Sequence, residues 1–122
     1  MSLDVDEITR AVNVAKAWAT FNGAGTLSVS DSYNVDSVTD NGTGDYSVNF
    51  TVNFANVNYS VAGTTTNSQG PTRGADGINS DPSNMPTVSL YRLNTFYGAD
   101  AGTSGAKADN SRVCVAFFGD QA

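Results

Sequence analysis

Residues 40–54 read DNGTGDYSVNFTVNF, and this stretch decides the fold class. Its first six residues are rich in Gly, Asp and Asn, which predicts a turn. From Tyr46 to Phe54, apolar residues then occupy every second position and Ser, Asn and Thr occupy the rest. A period of two predicts a β-strand with one buried and one solvated face. The register is firmly set, because a slip of one residue would expose the aromatic rings.

The same period begins earlier, in the segment that precedes this strand. Residues 15–21 read AKAWATF, residues 22–25 form a predicted turn, and a second alternating run follows. The residues that share the predicted apolar face of that run are Leu27, Val29, Tyr33 and Val35. Asp31 falls on the same face, which predicts a bulge or an edge position there.

Three more strands are predicted downstream, over residues 57–64, 87–97 and 111–119. The last is apolar on both faces, so we expect it to be central in a sheet or covered by a partner chain. Residues 65–86 and 98–110 are predicted as long polar loops. Short strands separated by turns indicate an all-β, antiparallel β-sandwich, jelly-roll-like, as one domain over residues 15–122.

Residues 1–14 form a separate N-terminal segment with Val5, Ile8 and Val12 at helical spacing. Acidic residues precede Ile8, as a helix N-terminus favours. The segment is short for an isolated helix. It therefore predicts either a short helix or an extended arm that packs on a neighbouring subunit.

Composition argues against several classes of function. Six basic and twelve acidic residues give a net charge of −6, which disfavours binding to nucleic acid or to an anionic membrane surface. No segment is long and apolar enough for membrane insertion. The chain has no histidine, and its only glutamate is Glu7. Without the usual general base or a phosphate-binding glycine motif, we expect no enzyme and no cofactor.

Cys114 is the only cysteine, so a disulfide framework is not expected. Its apolar neighbours predict a small buried side chain. The N-terminus lacks a basic region followed by an apolar run, so we expect synthesis and folding in a cytoplasm.

Two oxygen-rich clusters contain the ligand types that calcium prefers. They are Asp40, Asn41 and Asp45, and Asp76, Asn79 and Asp81. Neither cluster has the spacing of an EF-hand, and these residues are common in turns for their own hydrogen bonding. No metal is predicted.

Two kinds of contact surface remain. Trp18, Tyr91 and Tyr97 could offer a stacking surface to carbohydrate, but packing in the core or at a subunit interface is the preferred interpretation. The two long loops carry residues able to hydrogen-bond sugars, and loops on a rigid sandwich are frequent recognition sites. These candidate ligand residues are Arg73, Asp76, Asn79, Asp81 and Lys107.

Three segments together carry a family resemblance: AKAWATFNGAGTLSVSDSYNV (15–35), SVTDNGTGDYSVNF (37–50) and VCVAFFGD (113–120). In order, they resemble a small domain at the distal ends of tail fibres and tailspikes of tailed bacteriophages, especially phages of cyanobacteria and marine bacteria. The resemblance covers residues 15–120. Fibre proteins place the domain after a long shaft, whereas here about fourteen residues precede Ala15. As a free-standing copy, the chain looks more like the trimeric capsid cement (decoration) proteins of cyanophages.

The resemblance implies a structural protein of the virion, located on the outer capsid surface and made in the host cytoplasm. Its partners would be further copies of itself, as a homotrimer, and the major capsid protein. Accessory binding to host-surface glycan is compatible with this role. A tail-fibre or tailspike tip that binds host-surface carbohydrate is the alternative. The candidate subunit-interface residues are Val5, Ile8, Val12, Trp18, Phe117 and Phe118.

Overall fold

The computed structural model describes residues 14–66, 74–98 and 106–122, and within these ranges the chain is all-β. The predicted N-terminal arm, with Val5, Ile8 and Val12, lies outside the described residues. Nine strands are present in the described ranges. They are β1 (Ala17–Asn22), β2 (Ser28–Tyr33), β3 (Val35–Gly42), β4 (Asp45–Phe50), β5 (Ser60–Thr66), β6 (Gly74–Ser80), β7 (Leu90–Gly98), β8 (Ala106–Lys107) and β9 (Arg112–Phe118).

The strands form two antiparallel sheets that pack face to face, which confirms the predicted β-sandwich. Sheet A has the order β2-β1-β9-β5, and sheet B has the order β3-β4-β7-β6 with β8 added beside β7. The final strand, β9, therefore lies between β1 and β5, at the centre of sheet A as expected.

The core lies between the sheets and follows from the alternation in β1, β4 and β9. Its centre is a cluster of aromatic rings that meet mostly edge to face: Phe50, Phe54, Tyr59, Tyr91 and Phe117. The ring centroids of Phe54 and Tyr59 are 4.4 Å apart, and those of Phe50 and Phe117 are 4.9 Å apart. Each such pair stabilises the fold by about 0.5–1.5 kcal/mol beyond its burial. Phe117 is fully buried here, so its predicted place at a subunit interface is wrong.

The glycine-rich corner is the turn between β3 and β4, as the sequence predicted. Gly44 has φ +61°, and a Cβ at this position would lie 2.5 Å from the carbonyl oxygen of Thr95. The N–H of Gly44 and the hydroxyl of Tyr46 both donate to Oδ1 of Asp109, at 2.8 and 2.9 Å. Burial and the nearby Asp109 carboxylate raise the pKa of Tyr46, which keeps its hydroxyl protonated as a donor. The corner is therefore fastened to the segment that leads into β9.

The strand that follows the corner is shorter than predicted, because β4 ends at Phe50. Asn34, with φ +54°, lies where the chain passes from β2 to β3. Its backbone oxygen accepts from the N–H of Thr51, and its Oδ1 accepts from the N–H of Val52 at 2.7 Å. Its Nδ2 donates to the carbonyl oxygens of Val52 and Lys16. These bonds turn the chain, leaving Val52 exposed while Phe54 is buried.

The face predicted for β2 is also partly wrong, although the bulge and the edge position expected near Asp31 both occur. β2 is an edge strand, and the pairing with β1 shifts between Thr20 and Phe21. Val29 pairs with the core residue Phe21, but beyond the bulge Tyr33 pairs with the outward-facing Trp18. The extra residue reverses the faces, so Asp31 and Tyr33 leave the core side.

The predicted loop over residues 65–86 contains a strand instead. β5 extends to Thr66, and β6 occupies Gly74–Ser80 as the edge strand beside β7. The sequence of β6, GADGINS, has Ile78 as its only large apolar residue. Its pairing depends on β7 and not on an alternation of its own, which is why the periodicity did not reveal it.

We expect replacement of Asn34 by Ala to lower the free energy of unfolding by about 2–4 kcal/mol. The side-chain hydrogen bonds are lost, and Ala, unlike Asn, has no side-chain amide to compensate for the cost of a positive φ. Asn34→Gly accepts that φ freely and should recover about 1 kcal/mol of the loss. Urea unfolding followed by circular dichroism measures both.

Asn53→Ala is the matched control, because Asn53 is exposed in the segment after β4, next to Val52, whose N–H is bound by Asn34. Equal unfolding midpoints for the Asn34→Ala and Asn53→Ala variants would contradict the role assigned to Asn34.

Candidate functional site

The outer face of sheet A carries an open, largely apolar surface. Strand pairing aligns two rows of side chains across it. One row is Tyr33, Trp18, Ala116 and Ala62, and the other is Asp31, Thr20, Cys114 and Thr64. Paired residues lie on the same face of a sheet, so these side chains form one continuous patch, called the A-face below.

A shallow depression of about 430 Å³ crosses the A-face. It exists because small residues, Ala62, Gly63 and Ala116, stand beside the bulky Trp18. Tyr33, at the end of the same row, is half exposed. The hydroxyl of Thr20 donates a weak hydrogen bond to Sγ of Cys114 at 3.8 Å. The depression therefore has an apolar lining that includes the half-buried thiol.

Charge is confined to the margins of the A-face. Asp31 lies on the edge strand β2, and Arg112 lies at the start of β9. The lining between them consists of Trp, Ala, Gly, Thr, Val and Cys residues. The centre of this face therefore presents an uncharged surface on a chain whose net charge is −6.

The candidate interface residues fall in different places. Trp18 lies on the A-face and is half-buried. Phe118, which pairs with Ser60, is also half-buried and lies on the outward side of β9.

The candidate ligand residues are brought together only in part. Asn79 on β6 and Lys107 on β8 both line a second depression, of about 310 Å³, on the outer face of sheet B. Asp81 follows β6 and is buried, and its Oδ1 accepts from the N–H of Ser83. Asp76 lies within β6, and Arg73 lies outside the described residues.

Asn94, Phe96 and Ala106 also line this second depression, and none of them was predicted from the sequence. Asn94 and Phe96 belong to β7, whose inward residues include Tyr91 and Leu93. Alternation along β7 gave the available signal, because it places Asn94 and Phe96 on the side opposite Leu93. The sequence did not show that Asn94 would be buried there.

Arg92 joins two carboxylates beside this depression. Its Nε and Nη2 donate to the two oxygens of Asp45, each at 2.8 Å, and Nε lies 3.6 Å from Oδ2 of Asp81. The Arg92 guanidinium holds the pKa of the Asp45 carboxyl below its usual range. Both carboxylates therefore serve as partners for Arg92 within the protein.

Four residues of the two oxygen-rich clusters, Asp40, Asn41, Asp45 and Asp81, make bonds within the protein. Oδ1 of Asp40 accepts from the N–H of Gly42, and Nδ2 of Asn41 donates to Oγ of Ser47. Asp45 and Asp81 face Arg92. Among the described residues, no three acidic, histidine or cysteine side chains gather as a set of metal ligands.

Comparisons with known proteins return no relative: no protein-family model matches the chain, and neither do curated proteins nor solved structures. The described part of the chain also contains no helix with the length and apolarity to cross a membrane. Its surfaces and the resemblance of its sequence segments are therefore the observations that bear on function.

Loss of the Asp45 charge should make the protein less sensitive to acid. The folded pKa of Asp45 is lowered, so its stabilising effect is complete above the unfolded value near 3.8 and is lost as the pH falls below it. We expect Asp45→Asn to lower the free energy of unfolding by about 1–2 kcal/mol at pH 7. The dependence of stability on pH between about 5 and 2 should become shallower.

Chemical denaturation at a series of pH values measures this effect. Asp36→Asn is the control, because Asp36 is exposed on β3. An unchanged pH dependence in Asp45→Asn would contradict the role of the Arg92 pair.

Proposed function

We propose that this protein is a structural component of a tailed-bacteriophage virion, a homotrimeric cement protein that binds the major capsid protein at the outer capsid surface. The A-face is the observation that carries the proposal. It is a continuous surface with an apolar, uncharged centre on the outside of a sandwich whose core is already complete. The resemblance of residues 15–35, 37–50 and 113–120 to phage fibre-tip and cement domains supports the same assignment.

The occupant we assign to the A-face is a second copy of this chain. Copies with a net charge of −6 repel one another, and the repulsion is weakest where their contact surface carries no charge. The centre of the A-face meets that requirement, with Asp31 and Arg112 only at its margins. A half-buried Trp beside small residues is a frequent interface anchor, because a partner side chain fills the space next to the ring.

The proposed role requires binding and no catalysis. Interfaces between subunits stabilise an assembly by removing apolar area from water. A cement protein adds such area across junctions of the shell and so opposes the outward pressure of packed DNA. Burial raises the pKa values of Tyr46 and Tyr59. Both tyrosines lie in the core, where they support the fold.

A tail-fibre tip that binds host-surface carbohydrate is the second candidate. The observation that favours it is the depression on sheet B, which is lined by the amides of Asn79 and Asn94, by Phe96 and by Lys107. The two candidates differ in the number of copies per particle. A cement protein should approach the abundance of the major capsid protein, whereas a fibre tip is present in a few copies.

We expect Ala116→Arg to disrupt self-association, because it places a long charged side chain in the apolar depression. The wild-type chain of 12.7 kDa should sediment as a trimer of 38.1 kDa (3 × 12.7), and the variant should shift toward the monomer. Analytical ultracentrifugation over a range of concentrations measures the distribution.

Ala55→Arg is the matched control, because Ala55 is exposed outside the A-face. Its trimer should persist. A wild-type chain that stays monomeric at high concentration, or an Ala116→Arg trimer as strong as that of the control, would overturn this use of the A-face.

Particles that lack the protein should release their DNA at a lower temperature or a milder osmotic shock than wild-type particles. The physical reason is the loss of interface area that resists internal pressure. A dye-release assay on purified particles measures the transition, and a stained gel gives the copy number. Unchanged release together with only a few copies per particle would favour the tail location.

A further inference from the structure

We propose that the depression on the outer face of sheet B, called the B-pocket below, binds a single saccharide residue. The pocket is lined by Asn79, Asn94, Phe96, Ala106 and Lys107. It lies on the opposite side of the sandwich from the A-face. The inference deepens the second candidate function, carbohydrate binding at this depression, and it is independent of the assembly role.

Strand register brings the polar and aromatic groups of the B-pocket together. Asn79 on β6 pairs with Asn94 on β7, and Phe96 on β7 pairs with Lys107 on β8. Directly paired residues lie on the same face, so three strands contribute to one site. A rigid sheet, rather than a loop, thus fixes the spacing of these groups.

Phe96 forms an aromatic surface in the B-pocket. It pairs with Gly77 across the strands, and a Cβ at Gly77 would overlap the far end of the Phe96 ring. The ring therefore lies across the sheet over the glycine instead of standing upright. It is half-buried and lines the open depression. The C–H face of a sugar ring packs well on such an aromatic surface.

Asn94 supplies an unused acceptor at the same place. The residue is only 6% exposed, and its Oδ1 is buried without a hydrogen-bond donor among the described residues. A buried carbonyl oxygen without a donor is unfavourable, and such groups are rare in folded proteins. A ligand hydroxyl is the kind of donor that this oxygen lacks, and rotation of the Asn94 amide toward the B-pocket would bring the two together.

The size of the B-pocket favours one ring. Its volume of about 310 Å³ is at the lower end of the range for small-molecule sites, which runs from about 300 to 1,000 Å³. It is roughly ten times the share of volume that one water molecule takes in the liquid, about 30 Å³. A single ordered water would leave most of the space unfilled.

The charges around the B-pocket favour a neutral or acidic sugar over a cationic ligand or a phosphate. The Arg92 guanidinium is engaged by Asp45 and Asp81, which leaves Lys107 as the cation in the lining. After Arg92, the Lys107 charge also lowers the pKa of Asp45. One exposed ammonium can donate to hydroxyls or to a uronate carboxylate, but it gives a phosphate little neutralisation.

The test is a titration of the full-length protein with methyl glycosides of glucose, galactose, mannose and rhamnose, and with glucuronic and galacturonic acids. Two-dimensional NMR reports on the side-chain amide signals of Asn79 and Asn94. At least one sugar should shift both signals saturably, whereas glycerol at equal concentration should not. No saturable shift with any of these sugars, or equal shifts with glycerol, would overturn the proposal.

Variants locate the binding. Asn94→Leu and Phe96→Ala should each weaken the sugar that binds best by about tenfold or more, because one removes the acceptor and the other the stacking surface. Asn41→Leu is the control, since Asn41 is exposed on the same sheet outside the pocket. Binding that is unchanged in both pocket variants would overturn the assignment. If one of them does not fold, the other variant and the wild-type titration still decide.

Two further comparisons separate this proposal from the assembly role. Lys107→Met should reduce binding of the uronic acids and leave neutral glycosides nearly unaffected. Ala116→Arg, which tests the A-face, should bind sugar as the wild-type chain does. An intact trimer that binds no sugar would overturn the B-pocket proposal alone. A chain that binds sugar but forms no trimer would overturn the assembly proposal alone.

Discussion

The hydrogen bond from the Tyr46 hydroxyl to Asp109 is the constraint on which the rest of the sandwich depends. Oδ1 of Asp109 accepts from Tyr46 and from the N–H of Gly44, so one carboxylate holds both the turn and the strand that follows it. The same tyrosine oxygen lies 3.3 Å from the carbonyl oxygen of Gly23, and the N–H of Gly23 donates to the backbone oxygen of Asn110. This group of contacts joins the turn after β1, the corner before β4 and the segment before β9. It thus ties sheet A to sheet B at one end of the molecule. Two of the sequence segments that carried the resemblance, FNG and NGTGDY, meet in space at this point.

Local alternation was sufficient to predict the strands that build the core. β4 and β9 carry apolar residues at every second position, and burial of one face follows directly from that period. The errors arose where a distant residue decides the local conformation. The end of β4 depends on Asn34, sixteen residues before Phe50, and the strand β6 exists because β7 offers an edge for pairing. The reversed face of Tyr33 results from a bulge that alternation indicated only through Asp31. Propensity and period describe a strand well, but its ends and its register are set by partners far along the chain.

The surfaces were less predictable than the core for a related reason. Asn79 and Lys107 were identified because they are polar residues in segments that looked like loops, and the structure places them together through pairing with β7. Asn94 and Phe96 lie in β7 within the run Leu-Asn-Thr-Phe-Tyr. Polar and apolar residues occur on both faces of this run, so residue type does not separate the outward residues from those of the core. Phe117 was mistaken for an interface residue because β9 is apolar on both sides. Only the sheet order shows that Phe117 faces the core while Cys114 and Ala116 face outward.

The two outer faces of the sandwich differ in chemistry, and this difference relates the two proposals. The A-face has an apolar, uncharged centre, whereas the outer face of sheet B carries amides, the Arg92 pair and Lys107. Burial of the A-face centre removes apolar area from water and leaves no buried charge unpaired, which favours its use as a permanent contact. Burial of the sheet B face would instead require new partners for Lys107 and Asn79. When copies associate through their A-faces, each sheet B face points away from the contact. The B-pocket would then remain open to solvent on every subunit, and repetition of the pocket around an assembly would raise the avidity of a weak single-sugar site.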